Sequence, residues 1–446
     1  MADTASIEPF DAASRPGRIT AAGMVVATMV GTGVFVSLGY QAAELPSTFA
    51  ILALWVLGGL HALCGALCYA ELAARVPRSG GEYVFLSRAF HPLLGFLAGW
   101  VSVVVGFAAP VAVASLAFGA YLNAFLPGLA PAAAGAALVL LCAGVHLGRG
   151  LLGKRFQNLF TGMKVLLVIG FCLALLALNH HPQPVRILPA PSDWSVLFSM
   201  DFAIAFVFVT YSYSGWNAAA YVSGELRHAP SAVPIALLAG TALVLLLYLV
   251  LNFAFLRSIP FAELAALPDK ERFATRAAEN VFSGRGEILA NLLVLLGLVS
   301  SVGALTYVGP RISQAIGEDF PALSLLARKN RNGAPVHAIL VQLLLSLAFL
   351  LLADLRSLLL YAEFILLLFS FLTVSALFIL RRKEPGGQGF RVPLFPLPPI
   401  LFLGTNLWVM LSVFNRHSAE TTVGLLTILA GLLFLPVALR RRNSPP

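Results

Sequence analysis

Three consecutive residues, Gly31-Thr32-Gly33, are the part of the sequence best suited to bind a small charged solute. They interrupt an apolar run from Ile19 to Leu38, which is as long as the roughly 20 residues that a helix needs to cross a bilayer. Glycine costs about 1 kcal/mol in a helix interior relative to alanine, so this triplet predicts a break in the helix. Such a break would expose main-chain N–H and C=O groups, which together with a half-helix dipole favour an anion or zwitterion.

A second apolar run, from about 196 to 222, carries a comparable interruption. Its polar stretch reads Tyr-Ser-Tyr-Ser-Gly-Trp-Asn from Tyr211 to Asn217. Inside lipid, irregular backbone is tolerated only where it is buried in protein or lines a cavity. Two interrupted helices at corresponding positions in the two halves of a chain are typical of the binding site of a secondary transporter.

The two interruptions offer complementary chemistry. Amide N–H groups near Thr32 and Gly33 suit a carboxylate, whereas carbonyl groups near Met29 and Tyr211 suit an ammonium group. The alternative is that the Gly-x-Gly triplet serves only the close packing of two helices. The presence of a second interruption favours the binding site over this alternative.

The composition predicts an all-α polytopic membrane protein. Hydrophobic residues make up 59% of the chain and charged residues only 11%, against about 25% charged residues in soluble domains. The net charge of +9 comes from basic loops between apolar runs, which favours a membrane over a nucleic-acid partner. We find no polar segment long enough for a soluble catalytic domain and no enzyme motif, and we expect no metal or other cofactor.

Twelve apolar segments can be marked as membrane spans. They lie at about 18–42, 48–74, 92–122, 130–147, 156–178, 196–224, 232–256, 288–314, 335–353, 357–380, 396–414 and 421–439. If all twelve cross the lipid, arginine and lysine are concentrated in the loops on the side of both termini. The positive-inside rule then predicts that the tails 1–17 and 441–446 are cytoplasmic, in an inner or plasma membrane.

Five separated stretches resemble the L-type amino-acid transporters of the amino acid–polyamine–organocation superfamily. In chain order they read VGTGVF, ELAARVPRSGGEYVFLSRAF, QNLFTGMKVLLV, YSYSGWNAAAYVSGELRHAPSAVPIA and RISQAIGEDFPALSLLARKNRNGAPVHAI. The resemblance covers spans 1 to 10. It implies the leucine-transporter fold, with inverted repeats at 18–178 and 196–383, discontinuous helices 1 and 6, and two additional helices at 393–440.

The resemblance also implies a function and a set of site residues. The function is amino-acid transport by alternating access, often by exchange, in which spans 1, 2, 6 and 7 move against spans 3, 4, 8 and 9. Substrate would be bound by Met29, Gly31, Thr32, Gly33, Tyr211, Ser214, Gly215 and Asn217. Tyr211 falls where the family has an aromatic gate, usually phenylalanine. Trp216 keeps the family's Gly-Trp-Asn sequence and is expected to act in gating or in core packing.

Lys164 is a lone cation in the middle of the fifth span. A charge at that depth costs from about 2.5 kcal/mol upward, so we expect it to face an internal cavity and to meet carbonyls or hydroxyls. The resemblance places it where sodium-coupled relatives hold an ion, and implies that it ties span 5 to the unwound part of span 1. The alternative is that its side chain extends toward the cytoplasmic face, about 13 Å away along the helix.

Four other ionisable residues lie at the ends of spans or within them. Glu225 and Arg311 end spans 6 and 8, and form either an inner gate or a structural ion pair, of which we favour the pair. Glu363 lies within span 10 and His61 within span 2. We expect Glu363 to pair at a helix interface, with proton coupling as the alternative.

The predicted substrates are neutral amino acids, because the motifs bring no acidic residue to the interruptions. The loop outside span 3, NAFLPGLAPA, has no cysteine, so no disulfide-linked heavy subunit is expected. A homo-oligomer is left open, as is the choice between exchange and proton symport. A non-transporting sensor on the same fold and an ion channel are the competing classes. A channel would need polar residues along a continuous path, whereas only the interruptions are polar.

Overall fold

The computed structural model describes residues 16–148, 150–268, 270–352, 355–386, 389–416 and 418–439. The C-terminal tail 441–446 and all but the last two residues of the N-terminal tail 1–17 lie outside these residues. The described residues form helices and no strand, apart from an isolated β-bridge between Lys329 and Pro335. The all-α prediction is therefore confirmed for the part of the chain that the structure describes.

The helices of the first half of the chain include the interrupted first span. They are α1 (Arg18–Met29), α2 (Gly33–Glu44), α3 (Thr48–Arg75), α4 (Glu82–Ala89), α5 (Pro92–Val101), α6 (Ala108–Leu122), α7 (Pro131–Leu147) and α8 (Gly150–Ala177). A π-helical segment, Ser102–Phe107, joins α5 to α6.

The second half contains the second interruption and several short helices between the long ones. They are α9 (Asp193–Leu197), α10 (Met200–Tyr213), α11 (Ala218–Tyr221), α12 (Ala229–Ser258), α13 (Phe261–Ala265), α14 (Phe273–Phe282), α15 (Gly286–Val308), α16 (Pro310–Asp319), α17 (Val336–Leu352), α18 (Leu355–Lys383), α19 (Leu397–Arg416) and α20 (Ser418–Leu439). Short 3-10 turns lie at Ser223–Glu225, Lys270–Arg272, Ser283–Arg285 and Pro321–Ala327.

Eight helical segments in the described residues are long and apolar enough to cross a membrane. They are Arg18–Glu44, Thr48–Arg75, Pro92–Leu122, Gln157–Ala177, Ala229–Ser258, Phe273–Asp319, Tyr361–Lys383 and Leu397–Arg416. Shorter apolar helices lie at Pro131–Leu147, Met200–Tyr213, Val336–Leu351 and Thr421–Pro436. Together they define a multi-pass helical membrane protein.

The long helices surround the two interrupted ones. α12 packs along α3 and α1, α2 packs along α10, and α15 packs against α6 and α8. Side-chain caps help to fix where two of these helices start: the Oγ of Ser47 accepts the N–H of Ala50 in α3, and the Oγ of Ser199 accepts the N–H of Phe202 in α10. This arrangement brings the break in the first span beside the break in α10–α11.

Candidate solute-binding site

The first predicted interruption is present. α1 ends at Met29, the residues from Val30 to Thr32 are not helical, and α2 begins at Gly33. α2 then passes close to α10, since a Cβ added to Gly33 would lie 2.6 Å from the Cα of Ser212. Glycine at this position is therefore required by the approach of two backbones, and the packing interpretation of the triplet holds for Gly33 alongside the break.

The second interruption is present within the predicted stretch 211–217 and is shorter than that stretch. Tyr211 to Tyr213 still belong to α10, and the break covers Ser214 to Asn217. The N–H of Ser214 bonds to the carbonyl of Tyr211 at 2.9 Å, which closes the last turn of α10. Gly215 then adopts φ +96°, a conformation that favours glycine and turns the chain out of the helix. Beyond the break, α11 lasts for a single turn.

The two breaks contact each other directly. The hydroxyl of Thr28, in the last turn of α1, donates to the carbonyl of Gly215 at 3.0 Å. The hydroxyl of Tyr248 in α12 lies 2.7 Å from the carbonyl oxygen of Met29 and 3.0 Å from that of Ser212. Tyr248 thus joins the end of α1 to the end of α10. Sequence reasoning missed it, because one tyrosine in an apolar span carries no motif.

Lys164 is buried, and its side chain binds carbonyl groups of the first break. Its Nζ donates to the carbonyls of Ala27 and Val30 at 3.0 and 2.5 Å, and to the Oγ of Ser301 at 2.9 Å. Ser301, in α15, also lies 2.9 Å from the carbonyl of Val30. The predicted contacts of Lys164 with carbonyls and a hydroxyl are confirmed, and the alternative of an extended, cytoplasm-facing side chain is wrong.

A cavity of about 90 Å³ lies between the breaks and the neighbouring helices. Every residue that the sequence predicts to bind substrate lines it, as does Trp216, namely Met29, Gly31, Thr32, Gly33, Tyr211, Ser214, Gly215, Trp216 and Asn217. Lys164 does not line it. Because one ordered water needs about 10–15 Å³ of such space, the cavity has room for several water-sized groups, as in a small polar solute.

The aromatic residues of the second break differ in their surroundings. Trp216 packs edge-on against Tyr69, with ring centroids 4.7 Å apart, and against Phe402 at 5.8 Å. This contact set supports the packing interpretation of Trp216. Tyr211 is only partly buried and lines the cavity, as a gate residue would. The amide of Asn217 donates to the hydroxyl of Tyr221 at 3.3 Å.

Two glutamates line the cavity, contrary to the sequence prediction that no acidic residue lies near the breaks. Glu363 of α18 is 3% exposed, faces the cavity and has no hydrogen-bond partner for its Oε2. The Thr210 hydroxyl of α10 is a hydrogen-bond neighbour of its carboxyl, so the expected pairing at a helix interface is present in part. Glu82, at the start of α4, is equally buried and also reaches the cavity. His61 lines it as well, stacked on Phe402 with ring centroids 4.3 Å apart.

Glu82 lies between two of the long apolar helices rather than within one. Burial raises its pKa to about 7, opposed by the hydroxyls of Tyr69 and Tyr221. The Tyr69 hydroxyl donates to Glu82 Oε1 at 2.6 Å, while Oε2 has no partner. A carboxyl in this position exchanges protons near neutral pH.

The structure brings the predicted gate pair together. Arg311 Nε lies 3.0 Å from Glu225 Oε1, and the hydroxyl of Tyr307 donates to Glu225 Oε2 at 2.9 Å. Burial acts to raise the pKa of Glu225, but the charge of Arg311 outweighs it and holds the pKa below its ordinary value. Arg311 also lies over the ring of Tyr307, 4.0 Å from its centroid. The pair is partly buried, which distinguishes it from a solvated surface pair.

A third irregular helix was not predicted from the sequence. The π-helical segment Ser102–Phe107 lies inside an apolar span that shows ordinary helical character, and its residues Gly106 and Phe107 line the cavity. Phe107 packs edge-on against Tyr221 with centroids 5.2 Å apart. Such segments are frequent at functional sites, because they re-aim side chains without ending the helix.

These features define a class: a multi-pass helical membrane protein in which two interrupted helices and their neighbours enclose a small polar cavity. Comparison with protein families assigns the chain to a family of the same class. The family model described as amino acid permease matches residues 17–435, so the chain belongs to the amino acid permease family.

Individual relatives are similar over nearly their whole length. The chain is 28% identical to the serine/threonine exchanger SteT of Bacillus subtilis (strain 168) over 423 residues, which is 93% of this chain and 94% of the relative. It is 27% identical to the b(0,+)-type amino acid transporter 1 of Homo sapiens, covering 94% of this chain and 86% of that protein. With the large neutral amino acids transporter small subunit 2 of Mus musculus it shares 29% identity, over 93% and 79% of the two chains.

Proposed function

We propose that this chain is a secondary transporter that moves neutral L-amino acids across a membrane by alternating access, as an exchanger. The observation that carries the proposal is the direct contact of two helix breaks around one cavity, through Thr28 and Gly215. Main-chain groups at such breaks bind the charged ends of a zwitterion that every amino acid shares. The printed names of the similar proteins, an exchanger and amino-acid transporters, support the same function.

In this proposal the carboxylate binds to the first break, and the ammonium group binds carbonyls at both breaks. The carboxylate accepts from the N–H groups of Thr32 and Gly33, at the start of α2, where the helix dipole is positive. The ammonium group donates to the carbonyls of Met29 and Tyr211. Each of these carbonyls already accepts one hydrogen bond, from Tyr248 and from the N–H of Ser214, and has a second lone pair available for the solute.

The architecture proposed with this function has twelve spans, formed by the eight long segments and the four shorter apolar helices. Residues 18–178 and 196–383 form inverted repeats, and 393–440 adds two helices. Both termini are cytoplasmic, in an inner or plasma membrane. Tyr211 closes the outer side, and movement of spans 1, 2, 6 and 7 against spans 3, 4, 8 and 9 opens the inner side. No heavy subunit takes part.

Counterflow in proteoliposomes tests the function. Vesicles that contain the purified chain and unlabelled serine should take up labelled serine, and a panel of competing amino acids gives the substrate range. Gly33→Ala should abolish this uptake, because its Cβ would lie 2.6 Å from Ser212. Gly170→Ala is the matched control, since a Cβ there meets nothing within 4 Å and uptake should persist.

Two results would contradict the proposal. Binding of amino acids to the purified chain without any flux would favour a sensor. Unchanged uptake by Gly33→Ala, in protein that inserts normally, would remove the first break from the binding site.

A further inference from the structure

Three titratable side chains line the cavity with atoms that have no hydrogen-bond partner. Among the described residues, the buried side-chain atoms that both lack a hydrogen-bond partner and belong to cavity-lining residues are His61 Nδ1, Glu82 Oε2 and Glu363 Oε2. No lysine or arginine is among the described residues that line the cavity. The nearest buried cation, Lys164, is committed to the carbonyls of the first break. Two carboxyls therefore face the solute without a positive side chain.

Glu363 is the carboxyl of this set that lies within a membrane-spanning segment, and its helix α18 packs against α10. Its carboxyl is within hydrogen-bonding reach of Thr210, which immediately precedes Tyr211. The Thr210 hydroxyl lies 3.1 and 2.9 Å from the carbonyls of Phe206 and Val207, to which it donates its single hydrogen. A carboxylate at Glu363 would have to compete with these two carbonyls for that hydrogen, whereas a protonated carboxyl can donate to the hydroxyl oxygen.

The helices packed against α18 provide no charge that would stabilise a carboxylate at Glu363. α3 contributes His61 to the cavity wall, α4 contributes Glu82, and α10 contributes Tyr211. α6 and the π-helical segment contribute Gly106, Phe107, Pro110 and Ala114, and α19 contributes Phe402, all of them uncharged.

Other polar groups near α18 are occupied or distant. α20 meets Tyr361, whose hydroxyl is 2.7 Å from that of Thr427. The basic residues of the last turn of α18 begin at Arg381, which pairs with Glu71. They lie about 27 Å farther along the helix, so they do not neutralise Glu363. An ionised carboxylate there would be an unpaired buried charge whenever the cavity closes around a solute that displaces its water, which strongly disfavours that state.

We propose that Glu363 binds a proton that crosses the membrane together with the amino acid. When the cavity opens to one side, the carboxylate takes a proton from water and becomes a neutral acid that donates to Thr210. The closed cavity then contains no net negative charge at Glu363. When the cavity opens to the other side, the O–H bond breaks and the proton returns to water there. This inference rests on the proposed transport function and adds the coupling ion to it.

The proton is not detectable in exchange, but it is detectable in net transport. In exchange, one proton accompanies each amino acid in each direction, so no net proton movement results. In net uptake the proton moves with the solute. A gradient of one pH unit, acidic outside, should then accumulate a neutral amino acid up to about tenfold at one proton per solute.

The test uses the full chain in proteoliposomes with an internal pH dye, and follows labelled serine in two modes. Wild type should show counterflow, gradient-driven accumulation and acidification of the lumen during uptake. In Glu363→Gln, accumulation and acidification should be lost, while counterflow remains. Glu363→Asp should restore the gradient response. Glu318→Gln, which alters an exposed carboxyl at the end of α16, should behave as wild type.

A binding measurement keeps the test decisive if Glu363→Gln does not transport. In weakly buffered detergent solution, serine should change the number of protons bound by wild type and not by the glutamine variant. Accumulation by Glu363→Gln, or its loss in Glu82→Gln but not in Glu363→Gln, would overturn the proposal. So would wild-type counterflow without any gradient response. Absence of wild-type counterflow would instead refute the transport function itself.

Discussion

The break after Met29 is held by side chains from three other helices, whereas the break after Tyr213 is held mainly by its own backbone. Lys164 of α8, Ser301 of α15 and Tyr248 of α12 bind carbonyls at the end of α1. In the second break, local turns and the positive φ of Gly215 set the path of the chain.

This difference indicates different roles for the two breaks. A backbone anchored by a buried cation and two hydroxyls keeps its shape, so its N–H groups are preorganised for a carboxylate. A break that depends on one glycine has fewer outside supports. We infer that the second break is the part that moves as the cavity opens and closes. The variants below test this contrast, from the largest expected effect to the smallest.

Gly215→Ala should remove the conformation on which the second break depends. The added Cβ would lie 2.8 Å from Thr28 Cβ, and a left-handed conformation costs a non-glycine residue about 1–2 kcal/mol. We expect counterflow to fall below detection while the protein still inserts. Measurement of uptake beside Gly170→Ala controls for the added methyl group, and near-normal uptake by Gly215→Ala would show that the second break is not held by this glycine.

Lys164→Met should loosen the first break without filling the cavity. It removes a charged donor from two carbonyls and a hydroxyl, and hydrogen bonds to charged groups contribute about 1.5–3 kcal/mol each. An energy of that size corresponds to a fall of about tenfold or more in the turnover number. The substrate concentration at half-maximal uptake should change much less. Lys164→Arg keeps the charge with a different shape and should be intermediate. Unchanged turnover in the methionine variant would remove the lysine from the mechanism.

The two breaks and Lys164 were predictable because their causes are local. Glycine at Gly31, Gly33 and Gly215 weakens a helix wherever it occurs, and a lone cation at Lys164 must find acceptors. The extent of the second break within 211–217 was less predictable than its presence. Tyr211 to Tyr213 are compatible with a helix, and only the backbone of Gly215 shows where it ends.

The groups that the sequence failed to place depend on tertiary packing. Whether Glu363 faces a cavity or a partner follows from the rotation of α18 against α10, which periodicity does not define in a span that is apolar on all sides. Glu82 belongs to none of the predicted spans, and only the packing of α4 shows that it lines the cavity. Tyr248 and the π-helical segment carry no distinguishing sequence pattern.

Tyr248→Phe should weaken the link between the two breaks and reduce uptake less than Lys164→Met does. The change keeps the ring, which packs against Trp55 and Tyr213, and removes only the hydroxyl shared by the carbonyls of Met29 and Ser212. One such hydrogen bond contributes about 1 kcal/mol, so uptake efficiency should fall about fivefold. Tyr361→Phe, which removes a hydroxyl paired with Thr427, should change uptake less. An equal loss of uptake in the two variants would contradict a bridging role of the Tyr248 hydroxyl.

Gly31→Ala should have the smallest effect and should act on the solute rather than on the fold. Its Cβ would meet Ser301 Oγ at 3.5 Å, an ordinary contact, so the first break has no need to shift. The new methyl group instead lies at the cavity wall, which Gly31 and Ser301 both line. One methyl group corresponds to about 0.8 kcal/mol, or about fourfold in the affinity of a solute that must give up that space. Competition assays should therefore show a loss for leucine and little change for alanine or serine. An equal loss of affinity for all three solutes would mean that Gly31 contacts the amino and carboxylate groups that they share. Loss of all uptake would show that the first break is less rigid than its anchors indicate.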